Sequence, residues 1–89
     1  MRQEFEKILG EELRYVAIKT RENLHLTQKE MGARLQMSER SYSDIETGRT
    51  ACGALTEALL LSMQEEPKIV LDHLMIRFVQ QYEKEMQPI

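Results

Sequence analysis

Very little in this chain bends it or cross-links it. Among 89 residues there are four glycines, two prolines and one cysteine, so few positions force the backbone out of regular structure. A single thiol, Cys52, cannot build a disulfide framework or a cysteine-based metal site within one chain, and it points to a reducing compartment. Valine occurs only at Val16, Val70 and Val79, and no segment alternates apolar and polar residues between turn signals, so a sheet is not expected. His25 and His73 are far apart, and neither stands at metal-ligand spacing from another candidate. No apolar run is long enough to cross a bilayer, and Met1-Arg2-Gln3-Glu4 does not open a signal peptide. No histidine has the surroundings of a general base, and no glycine-rich loop follows a strand. The expectation is a cytoplasmic protein with no catalytic set, no metal and no cofactor.

What the chain does contain in abundance is Leu, Glu, Met, Gln, Arg and Ala, the residues that enter helices most readily. Its length suits one domain with a modest core. Phe5, Ile8, Leu9, Leu13, Val16, Ala17 and Thr20 recur at three- and four-residue steps, predicting an amphipathic helix from about Arg2 to Glu22. Asn23-Leu24-His25 breaks that period, and both Asn and His tolerate the left-handed conformation that ends helices. Thr27 is placed to cap a second helix, with Glu30 completing a capping box. Met31 and Leu35 form its buried stripe, and Gly32 and Ala33 are small enough to let a crossing helix approach. Ser38 is placed to cap a third helix through Glu46, with Tyr42 and Ile45 inward and Ser41 on the adjoining flank. Gly48 ends it. A fourth helix is expected from about Gly53 to Gln64, with Leu55, Ala58, Leu59 and Leu61 or Met63 inward. Pro67 suits the first turn of a fifth, which runs to about Met86 before Gln87-Pro88-Ile89 frays.

The net charge of −3 argues against a polyanionic partner until its distribution is considered. Residues 14–49 carry seven bases against five acids, a balance of +2, whereas residues 1–13 stand at −2 and residues 50–89 at −3. The acidity lies mostly outside the second and third helices. Ser38, Glu39, Arg40, Ser43 and Asp44 fall opposite Tyr42 and Ile45 or beside the third helix's N-terminus. Arg40 is suited to fork onto guanine O6 and N7, and Glu39 or Asp44 to accept from cytosine N4. Free N–H groups at the two capped helix starts suit backbone phosphates.

From Leu9 to about Leu61 the chain resembles the Cro and phage-repressor type of helix-turn-helix domain, also called the XRE family. Arg21, Leu26-Thr27-Gln28, Ala33 with Leu35, Ser38, Ile45, Glu46 and Gly48-Arg49 carry the resemblance, by their order and spacing together. It implies an all-α, five-helix lambda-repressor-like bundle, here with an extended C-terminal helix. It also implies a nucleoid-associated, repressor-like transcription regulator that binds a palindromic operator in double-stranded DNA as a dimer. By position, Gln28, with Lys29 beside it, would meet a phosphate and brace the third helix. Ser38, Glu39, Arg40, Ser43 and Asp44 would face the major groove, and Arg49 would reach the backbone. Arg21 and Glu46 would form a structural ion pair, in which losing one partner strands the other charge.

The chain departs from the family pattern in three places. His25 stands where glycine is usual, Thr50-Ala51-Cys52 replaces a run containing proline, and Glu39 and Asp44 put carboxylates on the third helix's outer face. Those carboxylates repel phosphate unless each finds a donor. They support an alternative reading, a protein-interaction module of antirepressor or antitoxin kind that keeps the fold and binds a protein partner.

The fifth helix presents two apolar faces, Ile69, Val70, Leu74, Phe78 and Tyr82 on one and Leu71, Met75, Val79 and Met86 on its neighbour. One is expected to dock on the first and fourth helices. Leu71, Met75, Phe78, Val79 and Tyr82 are expected at the interface of a homodimer. Residues 1–66 are thus read as the DNA-binding part, with the helix-turn-helix at about 27–47, and residues 67–89 as a docking and dimerisation helix of the same single domain. Cys52 is expected as a space-filler, His73 as a surface histidine, and Met31, Met37, Met63, Met75 and Met86 as adaptable packing.

Overall fold

A computed structural model describes residues 1–87 of the chain. Among them the protein is all-helical: α1 (Arg2–Asn23), α2 (Gln28–Arg34), α3 (Glu39–Glu46), α4 (Ala54–Ser62) and α5 (Pro67–Met86). Pro88 and Ile89, part of the end expected to fray, lie outside the described residues. No helix among the described residues is long and apolar enough to cross a membrane.

The first three helices stop in the same way, and these stops set the angles between them. After α1 the His25 N–H donates to the Glu22 carbonyl (3.1 Å) and the Leu26 N–H to the Arg21 carbonyl (3.0 Å). After α2 the corresponding bonds run from Gln36 to Ala33 (3.1 Å) and from Met37 to Gly32 (2.9 Å). After α3 they run from Gly48 to Ile45 (3.1 Å) and from Arg49 to Asp44 (2.8 Å). This nested pair is the Schellman arrangement, which places one residue in the left-handed region. The three residues are His25 (φ +55°), Gln36 (φ +61°) and Gly48 (φ +78°). Leu26 and Met37, one position further on, fold back against the core. Only the third stop uses glycine, and the one at Gln36 carries no sequence signal.

The core gathers Leu13, Val16 and Ala17 of α1, Met31 of α2, Leu35 just beyond it, Tyr42 of α3 and Leu60 of α4. Tyr42 is fully buried, and its hydroxyl donates to the Ala17 carbonyl at 3.3 Å, so the polar tip as well as the ring is satisfied. Gly32 is where the turn crosses α2: a Cβ there would come within 3.0 Å of the Met37 carbonyl oxygen and 3.1 Å of that of Ser38. Ala33, expected at the same crossing, is exposed.

α4 is shorter than expected, and its inward face, which keeps Leu59 and Met63 as expected, is turned toward Leu60. Leu55, expected inward, is 67% exposed, Ala58 is exposed, and Leu60 is fully buried. Leu59 and Met63 pack against the core beside it. The run Leu59-Leu60-Leu61 puts leucine on three sides of one turn, so the apolar period alone does not select the inward face.

α5 lies antiparallel along α1. Phe5 meets Phe78 edge-on at 5.2 Å between ring centroids and Tyr82 at 4.8 Å, and the N-terminal amine pairs with Glu85. Glu12, whose burial the sequence did not reveal, sits on the inner face of α1 and accepts from Arg77 Nη1 at 2.8 Å, with His73 Nδ1 also 2.8 Å away. His73 is exposed, as expected, and also meets Glu12. Burial alone would raise the Glu12 pKa, but the contacts to Arg77 and His73 hold it below the ordinary value. Met75 and Met86, expected as adaptable packing, are exposed among the described residues.

The left-handed stops yield two opposed expectations. Replacing Gln36 with glycine should raise the unfolding free energy by about 0.5–1 kcal/mol, and Gly48→Ala should lower it by about 1–2 kcal/mol, because a Cβ is penalised in that region. Urea denaturation measures both, and equal stability for either variant and the wild type would contradict the assignment.

Candidate nucleic-acid interface

α1, α2 and α3 meet at one carboxylate. Glu46, the last residue of α3, accepts from Arg21 through both oxygens, Nε to Oε2 at 2.5 Å and Nη2 to Oε1 at 3.2 Å. Its Oε1 also accepts from Gln28 Nε2 at 3.0 Å. Arg21 Nη1 reaches the Leu26 carbonyl at 3.3 Å, tying the same guanidinium to the turn that leaves α1. The Glu46 side chain is only 8% exposed. Burial would raise its pKa, but donation from Arg21 and Gln28 outweighs that and holds it below the ordinary glutamate value. Burial and the Glu46 carboxylate push the Tyr42 phenol well above its ordinary value. The packing of Tyr42 and this polar clamp together fix the azimuth of α3.

Local caps complete the pair. The Thr27 hydroxyl accepts from the Glu30 N–H at 3.1 Å, and the Thr27 N–H donates to the Glu30 carboxylate at 2.9 Å. That reciprocal contact lowers the Glu30 pKa, chiefly through the Thr27 backbone donor. Ser38 caps α3 by accepting from the Ser41 N–H at 3.1 Å.

With Tyr42 and Ile45 buried, the helical repeat puts Arg40, Ser43, Asp44 and Thr47 on the outward face of α3, with Glu39 and Ser41 on its flanks. Ser38, Glu39 and Arg40 are exposed, while Ser43 and Asp44 are half-buried. Asp44 lies 3.9 Å from Arg49, so its charge is partly offset by the cation that follows the helix. Thr47 completes the face and was missed because it reads as part of the helix stop; its hydroxyl donates to the Ser43 carbonyl at 3.0 Å. Gln28, half-buried, is turned toward Glu46, and Lys29 is exposed. Lys29, Arg34 and Arg40 have no carboxylate partner within 4.0 Å among the described residues. α2 and α3 thus present unpaired cations on a chain of net negative charge.

The clamp links stability to pH. Glu46 has a depressed folded-state pKa, so its contribution is present above the ordinary value of 4.5 and is lost as the pH falls through the folded value below it. Removing the acceptor by Glu46→Ala should cost about 2–3 kcal/mol, somewhat less than a fully buried pair because Arg21 keeps some access to water. Glu46→Gln should flatten the acid limb of the stability curve. Urea melts at pH 7 and pH 4 test this, and an unchanged acid limb in Glu46→Gln would contradict it.

Residues 18–52 match a family model described as helix-turn-helix. The matched span begins in the last turns of α1 and ends before α4, so it contains Arg21, Gln28 and Glu46 as well as both motif helices. Comparison with curated proteins and with solved structures returned no match. Over residues 18–52 the chain is thus similar to helix-turn-helix domains, in line with its resemblance to the Cro and phage-repressor type.

Proposed function

We propose that the protein is a repressor-like transcription regulator that reads a palindromic duplex with α3 and pairs through α5. The clamp on Glu46 is the observation that carries the DNA reading. It commits the terminal carboxylate of α3 and one amide donor of Gln28, and it leaves Arg40, Ser43, Asp44 and Thr47 facing outward on a helix whose angle is set from two sides. In this reading Arg40 forks onto guanine and Glu39 accepts from cytosine N4. Asp44 is steadied by Arg49, and Gln28, Lys29, Ser38 and Arg49 hold the backbone.

The dimer reading rests on α5. Leu71, Met75, Ile76 and Val79 are exposed on one side of that helix, an apolar stripe left open among the described residues. Phe78, expected at the interface, is half-buried against Phe5, and Tyr82, though exposed, also lies on that ring. The proposed stripe therefore loses Phe78 and Tyr82 and gains Ile76. A two-fold axis along it would allow two copies of α3 to enter successive major grooves, on the order of 34 Å apart. The alternative, a protein partner for α3, draws on Glu39, which is exposed and has no cation within ion-pair reach among the described residues.

Selection of bound duplexes from a random pool tests the first half. A palindromic winner is expected, with Arg40→Ala binding it at least about tenfold more weakly, the scale of one lost bidentate base contact. Enrichment of no duplex at low salt would transfer the reading to a protein partner. Light scattering tests the second half: the expected mass is twice the 10.5 kDa chain, falling to one chain in Val79→Glu. A monomeric wild type would contradict pairing through α5.

A further inference from the structure

A second basic feature lies beside the helix-turn-helix, outside every position assigned above except one. A groove opens between the N-terminal half of α1, at Lys7, Gly10, Glu11 and Arg14, and the segment that leaves α3, at Gly48 to Cys52. Lys7 and Arg14 are seven residues apart and share a helix face. Arg49 belongs to this wall and to the proposed DNA face alike.

Three observations mark the groove as more than a surface crease. Arg14 is half-buried, yet it makes no ion pair or hydrogen bond among the described residues. Its guanidinium occupies the place where a side chain at Gly48 would begin, so the forked donor is held against the stop of α3. The one acid in the groove, Glu11, is directed away by Arg77, whose Nη2 lies 3.1 Å from its Oε1. Lys7 and Arg14 therefore face the opening without an ion-pair partner among the described residues, and Arg49 is offset only by Asp44 at 3.9 Å. Gly10 keeps its floor at backbone level: a Cβ there would meet nothing within 4 Å, so packing does not demand glycine in this helix interior.

We propose that this groove seats a phosphate of the DNA backbone, with Arg14 as the forked donor and Lys7 and Arg49 as flanking charges. A guanidinium presents paired N–H groups that match two phosphate oxygens. The groove begins where α3 ends, so a duplex that receives α3 has a strand beside it. The seat extends backbone contact onto α1, beyond the two motif helices. It rests on the DNA reading above and adds a residue to it.

Fluorescence anisotropy with a labelled duplex of mixed sequence, titrated across a salt series, tests the seat without knowledge of the operator. Arg14→Ala should lower the slope of log affinity against log salt by about 0.9, the value of one phosphate contact. Arg14→Gln, which keeps the side-chain stem, should do the same, and Arg14→Lys should restore most of the slope. Lys68→Ala removes an equal charge from outside the groove, where Lys68 pairs with Asp72, and should leave the slope unchanged. Thermal melts of Arg14→Gln should match the wild type, since the Arg14 guanidinium has no hydrogen-bond or ion-pair partner among the described residues. If the wild type binds and the Arg14 variants keep its slope, or if Lys68→Ala loses as much, the seat is overturned and the DNA reading stands. If the wild type binds no duplex, both fall.

Discussion

The fold depends on where one buried carboxylate finds its donors. Glu46 ends α3 inside the protein, and it is neutralised from α1 by Arg21 and braced from α2 by Gln28. A carboxylate removed from water is costly unless its oxygens are occupied, so three helices are drawn to one point. Tyr42 does the same work from the apolar side, its ring buried in the core and its hydroxyl on the Ala17 carbonyl. An eight-residue helix has little stability of its own; α3 owes its place to these two anchors.

Charge is sorted by the same contacts. Glu12 and Glu11 are taken up by Arg77 and His73 along the α1–α5 seam, and Asp72 by Lys68. Among the described residues, Lys29, Arg34 and Arg40 are left without carboxylate partners around the motif, and Arg14 and Lys7 beside it. A net charge of −3 is thus compatible with a locally cationic face, because what a polyanion meets is the local arrangement within about a Debye length rather than the sum.

What was legible in the sequence follows the range of each interaction. The Thr27–Glu30 capping box, the Ser38 cap, the glycine stop at Gly48 and the inward pair Tyr42 and Ile45 are all decided within a few residues, and each reads directly from spacing. The stop at Gln36 is equally local, yet glutamine has no preference for the left-handed region, so nothing in the residue type announces it. The face of α4 was legible in part, Leu59 and Met63 but not Leu60, because consecutive leucines offer several equal stripes and contact with α1 and α5 chooses among them. Arg21 and Glu46, 25 residues apart, were linked through family resemblance and not through spacing. Glu12 looked like any charge on an amphipathic helix until α5 supplied its partners, and the groove around Arg14 exists only once α1 and the segment after α3 are brought together.

The most direct test of the central claim is an amide-resolved NMR titration of the protein with a mixed-sequence duplex at low salt. If the clamp presents α3 to DNA, the shifts should move first at Lys29, Arg40, Asp44, Thr47 and Arg49, while Glu46 and the exposed stripe of α5 from Leu71 to Val79 stay near their free positions. Movement confined to α5, with α3 silent, would contradict it.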